Sequence, residues 1–347
     1  MTNRHSTRLK TLRAVCVSTI AAFALLGTTS LTIDAAELQA QTAQSKQKVY
    51  RIGFHWWKPG KIYDEAMAGI KDGLELQGIR YEEVVVHSNK DKKRAADNLR
   101  RLDNMALDVI YSLSSAGTQI ARNLSLRTPV IATVINHPAS LGVNPDSMTE
   151  GTAVSGTSYY VDAEKQLELY LQLFQSRSAK KHRIGMIFDR NNPAGALAEE
   201  PFMRKASKKR GIQFQSVGVT KKTELRSAIK KLVNAGVTLV VVPTNRLVYG
   251  NLAQILAVTN PAGIPIVSMN KQGVENGALA ALFADTYNLG RQTAQLADQI
   301  LRTDANPARV GFQFITKPNI IINLSAANAL NYQFPPQILG DASIVLQ

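Results

Sequence analysis

The only two tryptophans of the chain, Trp56 and Trp57, stand side by side in residues 51–78 (RIGFHWWKPGKIYDEAMAGIKDGLELQG), after an apolar run and before a helical pattern. Three roles are open to them: packing at a seam between domains, loop aromatics without a ligand, or the wall of a binding cleft. Covalent chemistry would need a reactive group with a partner, and none is visible. His55, His87, His137 and His182 are scattered and never pair at i, i+4. There is no Gly-x-Ser-x-Gly elbow, no glycine-rich phosphate loop and no His/Asp/Glu set at metal-ligand spacing. The single cysteine, Cys16, lies in an apolar segment without the small-residue context that lipidation requires, so neither a disulfide nor thiol chemistry is expected. These residue types predict binding without catalytic residues, metal or cofactor.

The elements that would position such a site begin late in the chain. Residues 1–13 carry Arg4, Arg8, Lys10 and Arg13 with no acid, and residues 14–27 (AVCVSTIAAFALLG) form an apolar stretch too short to span a bilayer comfortably. Small residues follow. This pattern predicts a cleaved secretory signal peptide over 1–36, an uncleaved membrane anchor being the competing reading, and then a polar tether over 37–47. The net charge of +15 becomes +12 without residues 1–36, which hold four basic residues and one acid. Most of the excess falls on helical patterns such as KDKKRAADNLRR and KKTELRSAIKK, which read as solvated faces. An exported protein of this kind is not expected to meet nucleic acid.

Between residues 50 and 270 the chain repeats itself. YRIGFHWW from Tyr50 matches HRIGMIFD from His182, QGIRYEEVVV matches RGIQFQSVGV, LDVIYSL matches TLVVVPT, and TPVIATV matches IPIVSMN, at offsets of 131–136 residues. Amphipathic stretches of helical length lie between the apolar runs. Each half therefore reads β-α-β-α-β-α-β with a parallel sheet covered on both faces. The fold class is α/β, two doubly wound parallel lobes. A strand and helix after the second half, and another strand near Ile320, require further crossings between lobes and hence a multi-strand hinge. Ligands of open parallel sheets bind outside the carboxyl ends of the strands. Two facing lobes place both sets of loops on one cleft, and the Trp pair stands at the end of the first strand.

The segments GTAVSGTSYYVDAEKQLELYLQLF, VVVPTNRLVYGNL, IPIVSMNKQGVENGALAALFADTYNLGRQTAQLADQIL and KPNIIINLSAANAL resemble the substrate-binding proteins of bacterial ABC transporters. These have the type 1 periplasmic-binding fold, and the chain is similar to the branch that includes tryptophan- and tyrosine-type amino-acid binders. The resemblance covers residues 49–346. It implies capture of a small organic solute by lobe closure in the periplasm, then delivery to the membrane permease and ATPase of an ABC importer, by a monomer. A sensory protein that presents its ligand to a membrane receptor remains the alternative. A repressor of the same fold would need an N-terminal DNA-binding unit, which is missing. The implied lobes are 48–157 with 285–316, and 158–284 with 317–347.

The resemblance also implies a ligand set. His55, Trp56 and Trp57 follow the first strand, and at least one of the two tryptophan rings is expected in the cleft, Trp56 ahead of Trp57. Ser114, Ser115 and Thr118 begin a helix, where hydroxyls and N–H groups suit a carboxylate or simply cap the helix. Asn136 and His137 follow the fourth strand. Tyr159, Tyr160, the loop with Asp189 and Asn191, Thr244, Asn245, Arg246 and Asn270 stand opposite, with Asp285 the main remaining acid. Asn245 and Asn270 replace aspartates common among amino-acid binders of the family. This departure predicts a neutral or anionic solute with a flat apolar part, not one held through a cationic amine.

Overall fold

The computed structural model describes residues 48–144, 154–174, 182–303 and 306–347. The expected signal peptide and tether lie outside the described residues. Strand β1 (Val49–Trp56) is followed by α1 (Lys61–Leu76), β2 (Arg80–His87), α2 (Lys92–Asp103), β3 (Val109–Leu113), α3 (Ser115–Leu124), β4 (Val130–Ile135) and β5 (Val154–Ser158). The second run is α4 (Ala163–Leu173), β6 (Arg183–Asp189), α5 (Glu200–Lys209), β7 (Gln213–Val219), α6 (Leu225–Asn234), β8 (Leu239–Val242), α7 (Arg246–Tyr249), α8 (Leu252–Thr259), β9 (Ile266–Ser268), α9 (Lys271–Glu275) and β10 (Ala280–Phe283). Then come α10 (Thr286–Thr303), α11 (Pro307–Val310), β11 (Phe312–Phe314), β12 (Asn319–Asn323), α12 (Leu324–Ala329), α13 (Pro336–Asp341) and β13 (Ala342–Leu346).

The first sheet runs β11-β5-β4-β3-β1-β2 and the second β13-β12-β10-β9-β8-β6-β7. The five strands common to the repeat take the same order in both sheets, all parallel, and only β12 meets its neighbour β10 antiparallel. The doubly wound pair expected from the repeat is therefore present. Apolar residues on both faces explain the covering helices: Ile52, Phe54 and Tyr111 pack on one side of the first sheet with α1 and α10, while Ile110, Val130 and Ala132 pack on the other with α2 and α3. The basic run of α2 lies on its exposed side, and Asp91 caps the helix by accepting from the Arg94 N–H at 2.9 Å.

The chain passes between the sheets after β5, after β10 and after β11. The second passage matters most, because α10 returns from the second sheet to lie along α1. The two helices meet at paired glycines. A Cβ on Gly69 would lie 1.9 Å from the Tyr287 carbonyl oxygen, and one on Gly290 would lie 2.1 Å from that of Ala66. Beneath them, the Thr293 hydroxyl bonds those of Thr157 (2.6 Å) and Thr133 (3.0 Å), joining α10 to β5 and β4. Either Gly69→Ala or Gly290→Ala must push the helices apart and is expected to cost about 1–3 kcal/mol in urea unfolding. Gly340→Ala, in α13 at a helical position with open space around it, should cost less; equal losses would show that the helix contact is not close-packed.

Candidate functional site

The carboxyl ends of both sets of parallel strands border two adjoining cavities, of about 240 and 470 Å³, which share Ile62, Val134 and Tyr159 as wall. Trp57, Lys58, Ser114, Ser115, Gln119, Asn136, Asn192 and Pro193 line the larger. Glu65, Thr244, Tyr249, Asn270, Lys271, Gln272, Phe283, Asp285 and Thr286 line the smaller. Of the candidates named from the sequence, the cavities gather Trp57, Ser114, Ser115, Asn136, Tyr159, Thr244, Asn270 and Asp285.

Trp56 is not among them: of the two rings, Trp57 lines a cavity and Trp56, the one placed ahead of it, does not. The side-chain alternation of β1 puts Trp56 on the face of Ile52 and Phe54, where it packs on the first-sheet core and meets His87 edge-on at 4.9 Å. Trp57 lies one residue beyond the strand and turns to the cleft. His55, on the opposite face, is fully buried. Its Nε2 is 2.8 Å from Ser88 Oγ, and its ring supports the start of α3 at Gly117. Thr118, on the buried side of that helix, donates to the Ser112 hydroxyl at 3.0 Å. His137 accepts through Nδ1 from the Ala139 N–H at 3.0 Å, capping a 3₁₀ turn (Pro138–Leu141), with its ring among Tyr160, Phe202 and Phe314. Tyr160 is core. Asp189 accepts from the Asn191 N–H at 2.9 Å and shapes a turn whose next residue, Asn192, reaches the cavity instead. Asn245 caps α7 through the Leu247 N–H at 2.7 Å, and Arg246 points to solvent. Neither lines a cavity.

Several lining residues are helix caps whose free edge meets the cleft. Ser114 accepts from the Gly117 N–H at 3.0 Å, Asn270 from Gly273 at 2.7 Å and Asp285 from Asn288 at 2.9 Å. The N-termini of α3, α9 and α10 therefore converge on the cavities with partial positive charge. Opposing them, Glu65 and Asp285 bring two carboxylates to the smaller cavity; Glu65 also accepts from the Thr286 hydroxyl. Among the lining residues that were not candidates from the sequence are Ile62, Tyr63 and Glu65 on α1, with Tyr249 and Gln272. Their helical periodicity marked faces without saying which end of a face reached the cleft. Val134, shared by both cavities, adopts φ 56° where the β4–β5 register shifts between Ala132 and Ile135. A β-branched residue in that region is strained by about 1–3 kcal/mol, and such positions cluster at binding sites.

Thr244 joins the two sheets. Its hydroxyl donates to Asn136 Oδ1 at 2.9 Å and also contacts Glu199 Oε1, which accepts the Thr244 N–H at 3.2 Å. Glu199 is fully buried, and burial raises its carboxyl from 4.5 to about 7 against the opposing effect of the Thr244 bonds. Burial also lowers His55 and His137 to about 4, His87 adding to the effect on His55.

The model for ABC transporter substrate binding proteins matches residues 59–346, and the chain belongs to that family, whose members bind solutes and are not enzymes. A tyrosine-binding protein of Clostridioides difficile (strain R20291) is 26% identical over 307 residues, 86% of each chain. Among solved structures, the ligand-free, open form of a substrate binding protein with adhesive properties from Clostridium difficile superposes with TM-score 0.74 at 23% identity. The match covers 86% of this chain and 100% of that one. An ABC domain in complex with L-Trp from Streptococcus pneumonia gives 0.65 at 22%, covering 85% and 100%. These likenesses establish the type 1 periplasmic-binding fold.

The three shifted groups act on stability in opposite directions. A buried neutral histidine contributes stability above its unfolded value of 6.5 that is lost as pH falls toward 4, whereas Glu199, raised to about 7, favours the fold as pH falls to 4.5. Near pH 5.5 the unfolded chain holds nearly two protons on these histidines that the native state lacks, against nearly one that only the native state keeps on Glu199. Unfolding free energy should therefore fall by about 1.4 kcal/mol per pH unit from these groups. Glu199→Gln removes the opposing proton and should double that slope in urea titrations; an unchanged slope would contradict the assigned protonation of Glu199.

Proposed function

We propose that the protein is the periplasmic binding component of an ABC importer that captures an aromatic amino acid in this cleft. The observation that carries the reading is the cleft's bipolar aromatic lining. Trp57, Tyr63, Tyr159 and Tyr249 supply walls, Ser114 and Ser115 with the α3 N-terminus offer donors at one end, and Glu65 and Asp285 offer carboxylates at the other. A ligand carboxylate suits the first and an ammonium the second. The relative named for tyrosine and the L-Trp complex favour the same chemistry. Asn245 and Asn270, being amides, offer no charge to a cationic amine. Asn245 lines no cavity, and Glu65 and Asp285 supply the acid that the asparagines lack, so the reading turns toward a zwitterion.

In this reading residues 48–157 with 285–316 form one lobe and 158–284 with 317–347 the other, hinged at the three crossings. Residues 1–36 direct export and are removed, and the closed monomer is recognised by a permease with its ATPase.

Calorimetric titration with L-tyrosine, L-tryptophan, tyramine and 3-(4-hydroxyphenyl)propionate tests the ligand class. The amino acids should bind, and loss of either charged group should weaken binding at least tenfold; failure of both amino acids to bind would overturn the reading. Trp57→Ala should weaken L-tyrosine binding about ten- to a hundredfold, about 1.4–2.8 kcal/mol. Trp56→Ala should instead lower the melting temperature and leave affinity near the parent's, because its half-buried ring packs against the core of the first sheet.

A further inference from the structure

The seam between the sheets contains a carboxyl group with no evident structural need for charge. Glu199 ends a single π-helical turn (Gly195–Glu199), a form that recurs at functional positions, and its Oε2 is buried without a hydrogen-bond partner. The turn packs against the 3₁₀ turn Pro138–Leu141 of the first sheet, so part of what covers it comes from across the cleft. Its Oε1 contacts Thr244, and Thr244 reaches Asn136 Oδ1 on the first sheet at 2.9 Å. Asn136 is itself held by the ligand cavity's wall, its N–H donating to Ser115 Oγ at 3.1 Å and its carbonyl accepting from Ser158 Oγ at 2.9 Å.

We propose that Glu199 is a positioning residue for the lobe seam: by taking up a proton from solvent it turns the Thr244 hydroxyl toward Asn136 and favours the state in which the two sheets touch. The reason is a count of protons. One threonine hydroxyl has one proton to give and faces two acceptors, Asn136 Oδ1 and Glu199 Oε1. A neutral Glu199 donates to Thr244 Oγ1, and Thr244 passes its own proton to Asn136. An ionised Glu199 claims the hydroxyl proton as well as the Thr244 N–H, leaving oxygen facing oxygen across the seam. Turning the Asn136 amide restores one bond, but the carboxylate then stays desolvated with one oxygen bare. Separation of the sheets lets water reach it.

No neighbouring charge competes for this role. The ionisable groups that face Glu199 are Tyr159, Tyr160 and Tyr170, all kept neutral by burial, which pushes their hydroxyls upward. Across the seam the imidazole is His137, neutral because burial lowers it to about 4. Of the flanking charges, Glu200 pairs with Arg204, and Arg246 is exposed.

The test needs no ligand, so it stands apart from the assignment of an aromatic amino acid. Spin labels at Lys93→Cys and Lys230→Cys, on exposed positions of α2 and α6 in the full chain carrying Cys16→Ser, report the inter-sheet distance by double electron–electron resonance. Because Glu199 stands at about 7 when the sheets touch and moves toward its ordinary 4.5 as water reaches it, the equilibrium constant for the short-distance population should fall from pH 6 to pH 8, by up to about tenfold. Glu199→Gln keeps a donor for Thr244 and should hold the pH 6 population throughout. Thr244→Val, which removes the relay, should reduce the short-distance population at pH 6. A parent population that does not change with pH would overturn the proposal without recourse to any variant, as would a Glu199→Gln protein that keeps the parent's slope.

Discussion

The close crossing of α1 and α10 is the contact on which the remaining geometry depends. A chain with two parallel sheets must pass between them, and each passage is a potential source of slack. Here the helix that follows β10 is brought back to the first sheet at Gly69 and Gly290, where backbone touches backbone. It is then held by a buried cluster of three threonine hydroxyls, to which Thr157 is contributed by the strand that leads out to the second sheet. Two crossings are thereby tied to one another. The residue that begins this helix, Thr286, bonds Glu65 on α1, and both line the smaller cavity. The same packing that ties the crossings together also places the carboxylates of the cleft.

Helix termini and carboxylates divide the cleft between them. Caps at Ser114 and Asn270 leave N-terminal dipoles aimed at the cavities, while Glu65 and Asp285 offset them at one end. Lys58 and Lys271 are strongly hydrated point charges near solvent and are worth less to an enclosed ligand than donors fixed by a helix. A zwitterion with a flat side chain satisfies both ends and covers the aromatic walls, whereas a neutral sugar could bond the carboxylates through its hydroxyls but brings no positive charge to them.

Much of this fold was legible in the sequence, because the apolar runs of a doubly covered sheet are continuous and the second half repeats the first. The runs at Tyr50 and His182 became β1 and β6 in matching places of matching sheets. Loop positions at strand ends were legible too, since a parallel sheet fixes which ends face the cleft; Ser114, Asn136, Thr244 and Asn270, which the family resemblance implied, stand on such loops and line the cavities. The phase within a strand was not. Trp56 and Trp57 are chemically identical neighbours, and only the face occupied by Ile52 and Phe54 decides which ring is packed. Glu199 and Glu200 pose the same difficulty: adjacent acids, one buried at the seam and one paired with Arg204 at the surface. The strained backbone of Val134 leaves no mark in residue type, and the capping roles of His137 and Asn245 cannot be told from ligand contacts until the turns are seen.

The central claim is that one ligand engages loops of both sheets at once, and hydrogen exchange read by mass spectrometry with saturating L-tyrosine tests it most directly. The account predicts slowed exchange in the loops following β1, β3 and β4 of the first sheet, and concurrently in those following β8 and β9 of the second. Protection confined to one sheet, or none at a concentration that calorimetry shows to be saturating, would contradict it.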